Sequence, residues 1–140
     1  MNFKALIKYK ESGTVFLKKG DNLRAKTKNI PNKPGVYLFY EMNDGNEDLK
    51  SIGASGTMLQ NGKFRGQMMR SRINNKMNSS QTRAQFFEQH FIKSNCDLLR
   101  IDWFVTHDEY FLDLPKYAEA NTLQEYYSVF GILPEWNNSF

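Results

Sequence analysis

The stretch PGVYLFYEMNDGNEDLKSIGASG, Pro34 to Gly56, limits the choice of fold more than any other. GVYLFYEM is rich in β-formers, NDGNED is a strong turn signal, and LKSIGAS reads as the returning strand. An antiparallel hairpin follows. Each arm also carries a glycine beside apolar residues, Gly35 in GVY and Gly53 in SIG. Strand ends with this composition let a backbone approach a ligand closely.

The remaining pattern supplies partners for that hairpin. FKALIKYK alternates Phe3, Ala5, Ile7 and Tyr9 against lysines, which predicts a strand with one wet face. ESG turns into TVFLKK, a partner strand, so a second hairpin is expected over about residues 3–19. GDNLRAKTKNIPNK reads as a connection. A helix is expected from about Arg65 to Met77. A second is expected from Ser80 to about Ser94, burying Phe86, Phe87, His90 and Phe91 at helical spacing. LLRIDWFVT reads as a further core strand through Leu99, Ile101, Trp103 and Val105. LPKYAEANTLQEYYSVF is the last helix, with Pro115 in its first turn and Gly131 as its stop. Hairpin, helices, strand and helix in this order predict an α+β sandwich, and 140 residues make one domain.

Charge is uneven. Residues 61–87 hold Lys63, Arg65, Arg70, Arg72, Lys76 and Arg83 without one acid, whereas residues 97–140 hold eight acids against Arg100 and Lys116. A concentrated basic segment attracts polyanions, nucleic acid above all. No apolar run approaches the roughly 20 residues of a membrane span. The lysine-rich start has no apolar signal core, so a cytoplasmic protein without a membrane partner is expected. Cys96 stands alone, which excludes an internal disulfide and a cysteine-based zinc site and reads as a small buried hydrophobe.

Gly35-Val36-Tyr37 and Ser51-Ile52-Gly53, followed by MRSRI and AEANTLQEYYSVFGILPEWN, resemble the ordered motifs of the GIY-YIG nuclease family over residues 34–138. The resemblance implies a three-stranded antiparallel sheet flanked by helices, here with the extra N-terminal hairpin. It also implies a hydrolase: an endonuclease that cuts a DNA phosphodiester bond with Mg2+ or Mn2+ held by a glutamate. Tyr37 falls at the motif tyrosine, Arg72 at the motif arginine and Asn137 at the asparagine after a proline. Ser51 departs from the pattern, because a tyrosine usually opens the second motif. Either Tyr37 carries the base role alone, or Tyr40 or Lys50 compensates, or activity is reduced.

On a continuous helix Arg65, Met69, Arg72 and Lys76 share one face. Arg72 suits a non-bridging phosphate oxygen, since guanidinium stays charged and donates in a fork. Lys76, one turn further, joins it. Arg65, Arg70, Lys76 and Gly53 are candidate DNA contacts. Two glutamates compete for the metal. Glu125 has a common family spacing to Pro134 and Asn137. The apolar stripe Ala120, Leu123, Tyr126, Tyr127 and Phe130 instead leaves Glu119 at its edge and turns Glu125 away, which favours Glu119. Asn137 either bonds near the scissile phosphate or ties down the tail. His90 reads as a core-edge histidine, and neither it nor His107 has metal-pair spacing.

Three functions are therefore expected in competition. They are a metal-dependent endonuclease acting on duplex or branched DNA as a monomer or homodimer, a binding module of the same fold without cleavage, and a structural domain whose basic segment contacts an acidic protein.

Overall fold

The computed structural model describes residues 1–78 and 80–140, with backbone alone at Lys76 and Asn78. Its elements in chain order are a 3-10 turn (Lys4–Leu6), β1 (Ser12–Lys18), α1 (Leu23–Lys26), β2 (Gly35–Asn43), β3 (Asn46–Ser55), β4 (Thr57–Met58) and β5 (Phe64–Arg65). There follow α2 (Met69–Ile73), β6 (Lys76–Asn78), β7 (Gln81–Thr82), α3 (Arg83–Ser94), β8 (Leu98–Val105) and α4 (Pro115–Phe130).

The main sheet is antiparallel throughout, in the order β1-β8-β2-β3. The hairpin of the opening stretch is β2–β3. Its two-residue turn, Asp44-Gly45, has φ of 50° and 80°, the left-handed pair that matches the twist of two antiparallel strands. Phe39 pairs with Ser51 but Tyr40 with Leu49, so Lys50 is an extra residue on β3. Such a bulge re-aims the side chain it carries.

β2 is buried on both faces, which makes the domain three layers. Tyr37 and Phe39 pack with Met69, Ile73, Phe87, Phe91, Leu99 and Ile101, under α2 and α3. Val36, Leu38 and Tyr40 pack with Phe3, Leu6, Ala118 and Leu123, under the 3-10 turn and α4. Among the described residues, no helix is long and apolar enough to cross a membrane.

Three expectations are corrected. The first N-terminal segment is not a strand. Phe3, Leu6 and Tyr9 are buried at three-residue spacing while Ile7 is 69 % exposed. The apparent alternation was half of a tighter helical period. No N-terminal hairpin forms. β1 instead pairs with β8 across the chain, Val15 opposite Ile101, and the sheet has four strands rather than three.

The helix expected over Arg65–Met77 is reduced to Met69–Ile73. Gly66 takes a φ of 85° before it, and Asn74 caps it. Arg65 lies on β5 and Lys76 on β6, so no helical face aligns them with Arg72. The second helix starts at Arg83 rather than Ser80. There Thr82 and Gln85 form a reciprocal capping box, each side chain bonding the other's backbone N–H. The last helix runs from Pro115 at its first turn to a left-handed Gly131 with φ 71°.

Candidate functional site

Tyr37 and Gly53 are direct cross-strand partners near the open end of the β2–β3 hairpin. The Tyr37 ring lies over the bare Cα of Gly53. A Cβ there would stand 2.6 Å from the ring and 2.9 Å from the hydroxyl oxygen. The space expected for a phosphate at Gly53 is therefore filled by the tyrosine. Gly35 has a similar use: its Cβ would meet the Phe104 carbonyl oxygen at 2.2 Å and Met69 Sδ at 2.6 Å. This glycine seats α2 against the sheet instead of admitting a ligand.

The Arg83 guanidinium stands over the Tyr37 ring at 5.9 Å and the Phe39 ring at 4.9 Å. Arg83 belongs to the acid-free run, yet only the fold brings it to the tyrosine. Ser51 pairs with Phe39, so it lies on this same face. The proposed substitutes for its missing ring are elsewhere. Tyr40 points to the opposite face under the Arg100 guanidinium, 4.1 Å from the ring centre, and burial above all pushes its hydroxyl up to about 12. Lys50 is held by carboxylates, as described below.

Arg72 projects from α2, exposed and without an ion pair among the described residues. α2 is strapped to the α1 segment by Asn74 Nδ2 donating to Thr27 Oγ1 (2.9 Å), Ser71 N to Asn32 Oδ1 (3.2 Å) and Arg70 Nη1 to the Lys28 carbonyl (3.3 Å). Arg65 is exposed on β5. The role expected of Lys76 lies outside the described side chains.

The two glutamates of α4 have different surroundings. Glu125 accepts the backbone N–H groups of Lys4 (2.9 Å) and Ala5 (2.7 Å), capping the 3-10 turn. Glu119 accepts no hydrogen bond from a described residue. Burial pushes its carboxyl above the usual carboxylate range, with Lys116 and then Arg72 pulling the other way. The buried face of α4 is Ala118, Thr122 and Leu123 with Tyr126 beside it; Tyr127 and Phe130, expected inside, are exposed. That rotation places Glu119 at the border of burial. Arg72 thus acts on both Glu119 and Arg83, and Arg83 lies against Tyr37. Tyr37 and Arg83 meet on the face covered by α2 and α3, Glu119 belongs to α4 on the opposite layer, and Arg72 exerts a charge effect on both Arg83 and Glu119.

Asn137 has the tail-tying role. Its Oδ1 accepts the Ile52 N–H and its Nδ2 donates to the Ile52 carbonyl, both at 2.9 Å. The amide thereby extends β3 at its outer edge, next to Gly53. Trp136 N donates to the Lys50 carbonyl, and its ring packs edge-on to Phe86 and His90.

Beside the tail lies a second polar cluster. Lys50 Nζ pairs with Glu41 (3.4 Å), Asp48 (2.9 Å) and Glu135, and Glu41 also contacts His90 Nε2 at 3.0 Å. Glu41, His90 and buried Cys96 bring their ligating atoms within 4.8 Å of one another, a grouping of the kind that takes a cation. The cysteine is not as isolated as its single occurrence suggests. However, the ammonium of Lys50 already neutralises Glu41, whose other oxygen accepts from Asn43 at 2.8 Å. The cluster reads best as a closed charge network joining β2, β3, α3 and the tail. His107 sits apart, against the Phe64 ring. In comparisons with known proteins, the chain matches no family model, no curated protein and no solved structure.

Proposed function

We propose that this chain is a metal-dependent DNA endonuclease of the GIY-YIG type. One observation carries the reading: the Arg83 guanidinium lies over the Tyr37 ring, and a second guanidinium, Arg72, exerts a charge effect on both Arg83 and Glu119, a partly desolvated carboxylate that accepts no hydrogen bond from a described residue. Phosphodiester hydrolysis needs this set of groups. Glu119 is a hard oxygen ligand suited to Mg2+ or Mn2+, with water and phosphate completing the shell. When bound, the cation supplies Lewis-acid stabilisation of phosphate charge. Arg72 holds a non-bridging oxygen. Tyr37 takes the proton of the attacking water.

The same packing supports a DNA path along the α1 segment. Residues 22–40 contain no acid, and exposed Arg24, Lys26 and Lys28 of the α1 segment adjoin Arg70 and Arg72. The N-terminal lysines lie on the side of α4, where Lys8 is paired with Asp113. Replacing Arg24, Lys26 and Lys28 by alanine is expected to weaken duplex binding and flatten its salt dependence by roughly one unit of slope per lost contact. Replacing Lys4 and Lys10 leaves the slope unchanged. Binding titrations at a series of salt concentrations read both.

The reading is tested by incubating plasmid with the protein and Mg2+ or Mn2+, with and without chelator. Nicking that the chelator stops is expected, either alone or with linear product if two copies act on opposite strands. Ser51 favours a second reading, a binding module without cleavage. Salt-sensitive binding with intact plasmid in both metals would select it.

A further inference from the structure

The structure assigns Arg83 as a second phosphate-binding cation of this site, which together with Arg72 receives the reacting phosphate beside Tyr37. The inference rests on the nuclease reading for its substrate but on its own observations for the anion.

The Arg83 side chain is sandwiched against the Phe39 and Tyr37 rings, and its Nε is shielded from solvent. That Nε has no hydrogen-bond partner, and no described acid pairs with the guanidinium. Another cation, Arg72, opposes its charge. Burial disfavours the charged form most, Tyr37 opposes this, and the like charge of Arg72 adds to the burial effect. A chain gains nothing in its free state from enclosing an unpaired cation beside a second one. The arrangement becomes favourable once an anion sits between them.

Local structure fixes the fork in place. Arg83 opens the 12-residue α3, its N–H donates to the Asn75 carbonyl, and the capping box at Thr82 and Gln85 sets the helix start. The positive end of the helix adds to the same field. A planar guanidinium held on two ring faces presents its N–H edge in one direction, which suits a tetrahedral oxyanion with oxygens at that spacing. Arg83 also occupies the face on which Ser51 omits the usual ring. The serine therefore leaves Arg83, rather than a second tyrosine, as the partner of Tyr37.

Thermal unfolding with inorganic phosphate, in metal-free buffer against chloride at matched ionic strength, tests this. Wild type is expected to gain several degrees in Tm, saturably. Arg83→Met should melt higher than wild type without phosphate, having lost an unpaired, half-buried charge, and should show no phosphate response. Arg83→Lys keeps the charge without the fork and should respond at a several-fold higher phosphate concentration. An unchanged phosphate response in Arg83→Met overturns the assignment, as does a wild type that phosphate does not stabilise. Plasmid nicking measured in parallel separates the two readings. Metal-dependent nicking that survives in Arg83→Met removes Arg83 and keeps the nuclease. A phosphate response lost in Arg83→Met, with no nicking by wild type, keeps the anion site and removes the nuclease.

Discussion

Glu119→Gln is expected to lower metal-dependent cleavage by about 10²-fold or more, the scale of losing one electrostatic stabiliser, while Glu125→Gln cleaves like wild type. The two residues are six apart on one helix, yet they meet different partners. Glu125 is occupied by two backbone N–H groups of the 3-10 turn. Its glutamine variant keeps one acceptor and turns an amide toward the other donor. The cost is about 1 kcal/mol of stability, typical of a weakened cap. Glu119→Gln should do the reverse. Burial raises the Glu119 carboxyl above its unfolded value, so its protonated form favours folding at low pH and that contribution is lost as pH rises through the folded value. At pH 7 without metal the glutamine variant is therefore expected to be more stable than wild type. The difference should vanish below about pH 4, where the carboxyl is protonated in both states. Thermal melts across pH and cleavage rates together separate a ligand at Glu119 from one at Glu125. Loss of cleavage in Glu125→Gln alone would show that spacing to Pro134 and Asn137 was the better guide.

Lys50→Met is expected to cost about 3 kcal/mol, the scale for removing one partner of a buried ion pair. Lys50 and Glu41 side chains are 10 % and 8 % exposed, and the methionine leaves Glu41 with Asn43 and His90. Asp48 and Glu135 are mostly exposed and contribute little. Burial raises the Glu41 carboxyl, but Asn43, His90 and Lys50 outweigh it and hold it below the usual range. This stabilisation is present above the unfolded carboxyl value and is lost as pH falls through the folded one. Against the effect of burial, Glu135 and Asp48 hold Lys50 above its ordinary range, an effect that solvent screens at their exposed carboxylates, so its own contribution fades only in strong alkali. The deficit of Lys50→Met should therefore be flat from about pH 5 to pH 9 and shrink in acid as Glu41 protonates. Denaturant titrations measure it. Lys50→Met combined with Glu41→Gln should recover much of the loss. A deficit unchanged in that double variant would place the energy in the Lys50 aliphatic stem.

What could be read from the chain alone depended on how local the cause was. The β2–β3 hairpin was legible because Asp44-Gly45 fixes its turn within two residues. β8 and α4 were legible because alternation, Pro115 and Gly131 act locally. The 3-10 turn was not, since Phe3 and Tyr9 fit both a two-residue and a three-residue period. β1 was legible as a strand but not in its partner, which lies across most of the chain. The interrupted helix before Lys76 turned on Gly66 and Asn74, whose backbone choices the basic pattern masked.

The site divides in the same way. Tyr37, Arg72 and Glu119 were named from motif order and helix face. Arg83 was counted only as one more cation, because its enclosure by Phe39 and Tyr37 is a property of the packed sheet. Asn137 offered two roles by sequence, and its pair of hydrogen bonds with the Ile52 backbone shows the tail tie.

The central claim, that Tyr37 activates water at a metal-dependent site, is tested most directly by Tyr37→Phe. The change removes one oxygen from a buried ring and leaves its packing over Gly53 and against Phe39. Single-turnover cleavage of labelled duplex in Mn2+, with binding measured on the same samples, gives both quantities. The account predicts unchanged duplex affinity and a cleavage rate reduced by roughly 10²-fold or more. Cleavage by Tyr37→Phe at the wild-type rate would contradict it and leave Tyr37 as a packing residue.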